Sequence, residues 1–123
     1  MAYNIVKAIA GYKLSCNLLF RGGTMSFFIL HPKELEFIRK QKRAVVVDLR
    51  EREKYQKYHC KNAVSMPYSE KQNWLDYFRR GQVYILYCDY GNISLLVARM
   101  LAQREIVAYT VIGGAKELQH YNL

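Results

Sequence analysis

A cysteine followed closely by a glycine separates two apolar segments of the chain. Cys88 comes directly after the apolar run 83–87, and Gly91 comes before the apolar run 95–102. A glycine lets a loop turn tightly, because it adopts positive φ without steric cost. If a helix begins just after this glycine, the unpaired N–H groups of its first turn point back toward the sulfur. Such amides and the helix dipole stabilise an anion, so we expect Cys88 to be a nucleophile that reacts as the thiolate.

The alternative is a cysteine that only packs, since cysteine is among the most buried residue types. The order strand, cysteine, two residues, glycine and helix favours the reactive interpretation. In open parallel sheets, ligands bind beyond the carboxyl ends of the strands. Cys88 lies at one such predicted end, and Asp48, after the run 44–47, lies at another.

The elements that would position these residues alternate between strands and helices. Short apolar runs predict buried strands over residues 44–48, 83–87 and 107–112, with shorter candidates at 27–29 and 63–66. Amphipathic or apolar segments predict helices over residues 32–42, 51–58, 70–80 and 94–104. This alternation predicts an α/β fold with a mainly parallel sheet.

Length, cysteine count and hydropathy exclude several classes of protein. The 123 residues suit one domain. No apolar run reaches the roughly 18 residues that cross a bilayer. The three cysteines are an odd number at irregular spacing, which gives neither a disulfide framework nor a paired zinc pattern. Free thiols are typical of a reducing compartment, so we expect a cytoplasmic protein.

The net charge of +9 is concentrated in the first two thirds of the chain. Residues 1–43 carry +6, residues 44–80 carry +3 and residues 81–123 are neutral. A basic surface favours anionic partners, and the alternative is simply a solvated face. No motif places basic and aromatic residues in register for nucleic acid, so we do not expect nucleic-acid binding.

Four motifs resemble those of the rhodanese-like domain, and they occur in the family's order. Residues 46–55 (Val-Val-Asp-Leu-Arg-Glu-Arg-Glu-Lys-Tyr) resemble its D-x-R-x-x-x-E/F-Y opening, and residues 58–67 its G-H-I-x-G-A-x-N-I-P segment. Residues 87–94 resemble its C-x-x-G-x-R/T-S loop, and residues 111–114 its closing L-x-G-G. The resemblance covers about residues 27 to 120.

This resemblance implies a three-layer α/β sandwich with a five-stranded, mainly parallel sheet. It also implies a sulfurtransferase, in which Cys88 takes a sulfane sulfur as a persulfide and passes it to a thiophilic acceptor. The backbone amides of the loop would hold the persulfide; its residues are Asp89, Tyr90, Gly91, Asn92, Ile93 and Ser94. Structural support is expected from Asp48, Arg50, His59, Gly113 and Gly114.

The same resemblance implies partners but no metal and no cofactor. The sulfur donor would be a small molecule or a persulfidated protein, and the acceptor a thiol or cyanide. We expect no membrane partner. A binding or regulatory module with the same fold, but without significant turnover, is the alternative. The related phosphatases with a C-x5-R loop are excluded, because Ser94 stands where their phosphate-clamping arginine would be.

Several residues depart from the family pattern. Ile93 stands where arginine or threonine is common, and Asp89 adds a negative charge beside the nucleophile. Both weaken the attraction for a dianion such as thiosulfate. Tyr58 and Cys60 replace a glycine and an apolar residue, and Cys60 is a candidate resolving thiol. Leu118 stands where tryptophan is common.

The first 24 residues match nothing in the family and contain no acidic residue. We therefore divide the chain into an extension, residues 1–24, and a rhodanese-like domain, residues 25–123. Codons for residues 21–24 can contain a bacterial ribosome-binding sequence just ahead of the Met25 codon. This predicts that the authentic start is Met25 in a bacterial gene. A genuine basic arm, or a strand added at the sheet edge, is the alternative.

Overall fold

A mainly parallel sheet forms the centre of the protein. The computed structural model describes residues 14–20 and 23–123, with side chains described from residue 27 onward. Within these residues, six strands lie in the order β1-β2-β6-β5-β3-β4. Their bounds are β1 Leu14–Phe20, β2 Gly23–Leu30, β3 Val45–Asp48, β4 Val64–Ser65, β5 Tyr84–Tyr87 and β6 Ala108–Val111. β1 is antiparallel to β2, and the other five strands are parallel. The predicted five-stranded, mainly parallel sheet is confirmed, with β1 added at one edge.

Helices cover both faces of this sheet. In the described part of the chain they are α1 Leu35–Lys42, α2 Arg52–Lys57, α3 Lys71–Trp74, α4 Asn92–Gln103 and α5 Gly114–His120. Short 3-10 turns occupy Pro32–Glu34, Tyr68–Glu70 and Leu75–Tyr77. None of these helices combines the length and the apolar character that a bilayer span requires.

Alternate residues of the strands pack into two separate cores, because successive side chains in a strand point to opposite faces. One core contains Leu86 of β5 and Leu101 of α4, and we call it the α4 core. The other contains Ile85 of β5 and Leu118 of α5, and we call it the α5 core. Helix, sheet and helix therefore form the predicted three layers.

The carboxyl ends of three neighbouring strands meet at one edge of the sheet. Asp48, the last residue of β3, is in register with Tyr87, the last residue of β5. The N–H of Leu49 then donates to the carbonyl of Tyr87 at 2.9 Å. On the other side, the N–H of Ala115 donates to the carbonyl of Cys88 at 2.8 Å. These bonds fix the chain on both sides of Cys88.

The predicted helices lie at the expected positions, but one of them is interrupted in the structure. Residues 70–80 do not form one helix, because the backbone of Trp74 leaves the helical region at φ −126° and the turn Leu75–Tyr77 follows. The indole N–H of Trp74 donates to the carbonyl of Pro67 at 2.7 Å, which holds this segment against the α4 core. Helix α5 was not predicted from the sequence.

The division of the chain at residue 25 stays a prediction. The strand pair β1–β2 crosses this boundary, with Leu14 opposite Ile29 and Phe20 opposite Gly23. Part of the predicted extension therefore lies as a strand at the sheet edge. Burial of Ile5, Ile9 and Leu18 would contradict the predicted start at Met25; Ile5 and Ile9 lie outside the described residues, and so does the side chain of Leu18.

Candidate active site

Cys88 lies between the end of β5 and the start of α4. Strand β5 ends at Tyr87, and α4 begins at Asn92 after Gly91, which has φ 106°. This positive φ is open to glycine and strained for other residues, so Gly91 allows the short turn that connects the two elements. Cys88 is 3% exposed and contributes to the α4 core.

The sulfur of Cys88 accepts hydrogen bonds from the loop that surrounds it. The N–H groups of Gly91 and Ser94 lie 3.2 and 3.3 Å from Sγ. Oδ1 of Asn92 lies 3.8 Å away and Oγ of Ser94 lies 3.6 Å away. The amides at the beginning of α4 therefore point at the sulfur, as the sequence predicted. Donors in this position stabilise negative charge on sulfur.

Ser94 is fixed by a residue that sequence reasoning missed. Its hydroxyl lies 2.6 Å from Oγ1 of Thr110 on β6 and 3.3 Å from the carbonyl of Gly91. Ser94 is fully buried and Thr110 is 4% exposed. The sequence did carry a signal for this role, because Thr110 is a polar residue inside the apolar strand predicted over residues 107–112. This bond ties the first turn of α4 to the sheet.

The glycine pair at the start of α5 packs against the cysteine loop. A Cβ atom on Gly114 would lie 2.4 Å from the carbonyl oxygen of Asp89 and 2.6 Å from that of Cys88. Gly113 adopts φ +80° and caps the helix. Gly114 therefore lets the α5 backbone reach the loop closely enough for the bond from Ala115 to Cys88.

Asp48 and Arg50 form a buried ion pair at the carboxyl end of β3. The guanidinium of Arg50 binds both carboxylate oxygens of Asp48, at distances from 2.7 to 3.2 Å. The hydroxyl of Tyr87 donates to Asp48 at 2.7 Å and accepts from the N–H of Cys60 at 2.9 Å. Burial lowers the pKa of Arg50, but hydrogen bonds and the charge of Asp48 outweigh it, so the pKa is raised overall. Burial also raises the pKa of Tyr87.

This network extends to the last residue of the chain. Arg50 also donates to the carbonyl of Tyr58 at 2.5 Å, and the hydroxyl of Tyr58 donates to the carbonyl of Leu123. Asp48 and Arg50 thus join strand ends and loop segments and have no contact with the cysteine sulfur.

The structure does not bring His59 or Cys60 to the sulfur of Cys88. His59 is exposed, and its ring stacks on the ring of Tyr55 with the ring centroids 3.9 Å apart. Nδ1 of His59 lies 2.8 Å from the backbone carbonyl oxygen of Tyr55. Cys60 is buried in the α5 core, on the opposite face of the sheet from Cys88. Burial, followed by the charge of Glu36, raises the pKa of the Cys60 thiol to about 11. This placement argues against Cys60 as a resolving thiol.

The mouth of the loop carries one ion pair and an exposed aromatic ring. Nζ of Lys54 on α2 lies 3.0 Å from Oδ1 of Asp89. Tyr90 is 73% exposed, whereas Ile93 is half-buried and packs against the α4 core. Among residues 14–20 and 23–123, no three His, Cys, Asp or Glu side chains converge as a metal site.

Comparison with known proteins gives one family and a consistent fold. The family described as "Rhodanese-like domain" matches residues 31–121. The rhodanese-related protein of Thermoplasma volcanium has a similar structure, with a TM-score of 0.67 at 22% identity over 76% of this chain and 91% of that one. A rhodanese-like domain protein of Staphylococcus aureus gives 0.66 at 25% identity, over 73% of this chain and 89% of that one.

Two curated relatives carry the name tRNA sulfurtransferase. The protein of Thermoplasma acidophilum is 41% identical over 68 residues, which are 55% of this chain and 14% of that protein. The protein of Pyrobaculum aerophilum is 35% identical over 80 residues, which are 65% of this chain and 16% of that protein. The chain therefore spans only about a seventh of the length of these relatives.

Proposed function

The chain belongs to the rhodanese-like domain family, and from that membership we propose that it is a sulfurtransferase carrying sulfane sulfur on Cys88. The single observation that supports this most is the pair of N–H groups, from Gly91 and Ser94, that point at the sulfur. A sulfur that must hold negative charge, first as a thiolate and then as a persulfide, needs donors of this kind.

The reaction we propose has two displacement steps. With thiosulfate as the donor, the Cys88 thiolate attacks the sulfane sulfur, the S–S bond of thiosulfate breaks and sulfite leaves. The new S–S bond gives Cys88 a persulfide whose outer sulfur carries the negative charge. A thiol or cyanide then attacks this outer sulfur, and the Cys88 thiolate leaves. Electrons balance in each step, so no external oxidant or reductant is required.

The loop supplies what both steps need. Because Sγ is the leaving group in the second step, the amides of Gly91 and Ser94 stabilise the charge that returns to it. The remaining amides of the loop, those of Asp89, Tyr90, Asn92 and Ile93, are proposed to face the outer sulfur. Ser94 contributes through its fixed backbone, since Thr110 holds its side chain in the sheet.

The names of the relatives favour a sulfur relay that ends on tRNA. Because the chain spans 14% and 16% of the two tRNA sulfurtransferases, it would supply the sulfur-carrying step of such a relay. The acceptor for Cys88 would then be a thiol group of another protein or domain. Direct binding of nucleic acid is not required for this role.

A regulatory module without turnover is the second candidate, and the 3% exposure of Cys88 favours it. Measuring the intact mass of the protein, before and after incubation with thiosulfate, polysulfide or a persulfidated cysteine desulfurase, separates the two. We expect a gain of one sulfur atom, its loss as thiocyanate on adding cyanide, and no gain in Cys88→Ser. Absence of any gain with all three donors would contradict the sulfurtransferase and favour the module.

A further inference from the structure

Two buried hydroxyl groups lie in a row behind the sulfur of Cys88. Oγ of Ser94 lies 3.6 Å from Sγ of Cys88, and Oγ1 of Thr110 lies 2.6 Å from Oγ of Ser94. Cys88, Ser94 and Thr110 are 3%, 0% and 4% exposed. Because all three side chains are buried, their hydrogens must be shared within the protein.

The direction of the bond between the two hydroxyls follows from a count of partners. Each hydroxyl carries one hydrogen and can accept two hydrogen bonds, so one hydrogen lies between the two oxygens. Among the described residues, Ser94 is the only hydrogen-bond partner of the Thr110 hydroxyl, whereas Oγ of Ser94 also lies 3.3 Å from the carbonyl oxygen of Gly91. If Ser94 donated to Thr110, the hydrogen of Thr110 would be buried without an acceptor, which is unfavourable. Thr110 is therefore the donor and Ser94 the acceptor.

This assignment leaves the hydrogen of the Ser94 hydroxyl with two acceptors to choose from. One is the carbonyl oxygen of Gly91 at 3.3 Å, which is long compared with the roughly 2.7–2.8 Å usual for an O–H donor. The other is the sulfur of Cys88 at 3.6 Å. While Cys88 is a thiol, its S–H can donate to Ser94, whose hydrogen then lies on Gly91. Once Cys88 is a thiolate, the sulfur is the stronger acceptor, because it is charged, and the hydrogen turns to it.

Strand β6 holds Thr110 in position for this role. Its backbone is paired with Ile29 of β2 on one side and with Leu86 of β5 on the other. Its side chain faces the α4 core, since Ala108, two residues earlier on the strand, belongs to that core. A β-branched side chain has few accessible rotamers. The sheet therefore fixes the Thr110 hydroxyl independently of the cysteine loop.

We propose that Thr110 is a positioning residue for Cys88: its hydroxyl donates to Ser94, and this directs the hydrogen of the Ser94 hydroxyl to the sulfur whenever the sulfur is negative. The Ser94 hydroxyl then becomes a third donor to Sγ, beside the N–H groups of Gly91 and Ser94. This inference rests on the proposed function, in which Sγ is negative before the first displacement and again when it leaves in the second. Only hydrogen bonds change, and no covalent bond of Thr110 or Ser94 is made or broken.

Two substitutions at Thr110 separate its hydroxyl from its shape. Thr110→Val keeps the β-branched shape and removes the donor, whereas Thr110→Ser keeps the donor and removes a methyl group. If the hydroxyl directs Ser94, the valine variant is impaired and the serine variant is rescued. If Thr110 contributes only by packing, the serine variant is the impaired one. Should Thr110→Val fail to fold, Thr110→Ala and Thr110→Ser give the same comparison, since they differ only by the hydroxyl.

The first measurement is the pH dependence of alkylation at Cys88, which does not depend on sulfur transfer. Iodoacetamide is neutral and reacts with the thiolate, forming a C–S bond while the C–I bond breaks and iodide leaves. Peptide mass spectrometry assigns the rate to Cys88, and the measured quantity is the pH at which this rate is half its maximum. We expect Thr110→Val to raise this pH by roughly 0.5–1 unit, because the thiolate loses a donor, and Thr110→Ser to leave it unchanged.

The charged groups around the loop are the same in every variant, so the comparison isolates the hydroxyls. These groups are Asp89 of the loop, Lys54 of α2, Glu117 of α5 and the pair Asp48–Arg50 at the end of β3. A change in the pH of half-maximal rate therefore reports the hydrogen bonds to the sulfur.

Ser65→Ala is the matched control. Oγ of Ser65 is buried and has no hydrogen-bond partner among the described residues. Ser65 ends β4, two strands from β5 and thus about 10 Å away. This substitution deletes a buried hydroxyl without touching the row behind Cys88. We expect the rate of alkylation and kcat/KM for sulfur transfer to stay within about twofold of the original chain.

The second measurement asks whether Thr110 acts through Ser94. Ser94→Ala removes the hydroxyl that bonds the sulfur, so we expect it to raise the pH of half-maximal alkylation at least as much as Thr110→Val does. Adding Thr110→Val to Ser94→Ala should then produce no further shift, because residues that act in one chain of hydrogen bonds are not additive. Shifts that add in the double variant would overturn the inference, as would an equal shift in Thr110→Val and Thr110→Ser or no shift in either.

The proposed function is tested separately, by the gain of one sulfur atom. If no donor loads sulfur but the pH of half-maximal alkylation shifts as expected, the sulfurtransferase is wrong and the positioning of the thiolate stands. If sulfur is loaded normally and Thr110→Val leaves this pH unchanged, the sulfurtransferase stands and Thr110 only ties α4 to the sheet.

Discussion

Gly114 lies so close to Asp89 that a Cβ atom on the glycine would be 2.4 Å from the Asp89 carbonyl oxygen. Gly114→Ala must therefore move backbone atoms of the cysteine loop, and alanine would also be strained at φ +68°. We expect a loss of about 3 kcal/mol or more in the free energy of unfolding, measured with urea, because a steric clash adds to the backbone strain. Sulfur transfer by the fraction that remains folded should also fall.

The matched control is Gly81→Ala. Gly81 has a similar φ of +89°, but a Cβ atom there would meet nothing within 4 Å. Only the strain remains, so we expect a loss of about 1–2 kcal/mol and unchanged sulfur transfer. Equal losses of stability in the two variants would mean that the cysteine loop accommodates the added Cβ atom at position 114 without a free-energy cost.

Replacement of the cysteines tests the assignment of the nucleophile. We expect Cys88→Ser to lower kcat/KM for sulfur transfer by at least about a thousandfold, because a hydroxyl cannot carry a sulfane sulfur. Cys60→Ser should keep activity within about threefold, since Cys60 lies in the other core. Circular dichroism checks that both variants fold. An active Cys88→Ser together with an inactive Cys60→Ser would show that the site is wrongly assigned.

The raised pKa of Cys60 predicts a loss of stability at alkaline pH. The thiol has a pKa of about 11 in the folded protein and 9.0 as its reference value, because burial disfavours the thiolate. The folded state therefore holds the thiol proton more tightly than the unfolded state does. The stability that the protonated Cys60 thiol contributes is complete below pH 9 and is lost as pH rises to about 11. The free energy of unfolding should fall by at most about 3 kcal/mol because of this group.

Cys60→Ser isolates this contribution from other groups that titrate at high pH. The original chain and the variant share the tyrosines, so the difference between their urea stabilities at pH 8 to 11 belongs to Cys60. We expect the original chain to lose stability more steeply than the variant over this range. Parallel curves would show that the Cys60 thiolate is accommodated in the fold.

The buried ion pair predicts a large stability effect for Asp48→Asn. The side chains of Asp48 and Arg50 are 0% and 7% exposed, so the substitution leaves a buried guanidinium without its counter-ion. We expect a loss of about 3–5 kcal/mol in the free energy of unfolding. Glu36→Gln, which breaks the more exposed pair with Arg39, should cost no more than about 1 kcal/mol. Similar losses of stability in the two variants would contradict the claim that burial makes the loss of one charge of the Asp48–Arg50 pair so costly.

The sequence predicted the cysteine loop well because its signals are local. The apolar run 83–87, the glycine at 91 and the apolar segment that follows lie within a few residues of each other, and each specifies one piece of a strand–loop–helix unit. The structure places β5 at Tyr84–Tyr87 and α4 at Asn92–Gln103 accordingly. Periodicity and turn chemistry are sufficient for such a unit.

The contacts between distant segments could not be predicted in the same way. The ion pair between Lys54 and Asp89 joins residues 35 positions apart, and the bond from Cys60 to Tyr87 joins residues 27 apart. Both depend on the order and register of the strands, which no local pattern encodes. The split of residues 70–80 depends likewise on how Trp74 packs against the α4 core.

The separation of the cysteines by the sheet has a consequence for oxidative damage. A sulfenic acid formed on Cys88 is normally rescued by condensation with a nearby thiol. Cys60 lies on the other face of the sheet, and Cys16 on β1 lies three strands from β5, about 14 Å away. A disulfide needs Cα atoms within roughly 7 Å, so Cys16 is too far from Cys88 to form one. Neither of the other cysteines in this sequence is placed to rescue Cys88, so we expect recovery to need a further thiol; where such a thiol is scarce, peroxide would carry Cys88 on to the irreversible sulfinic acid.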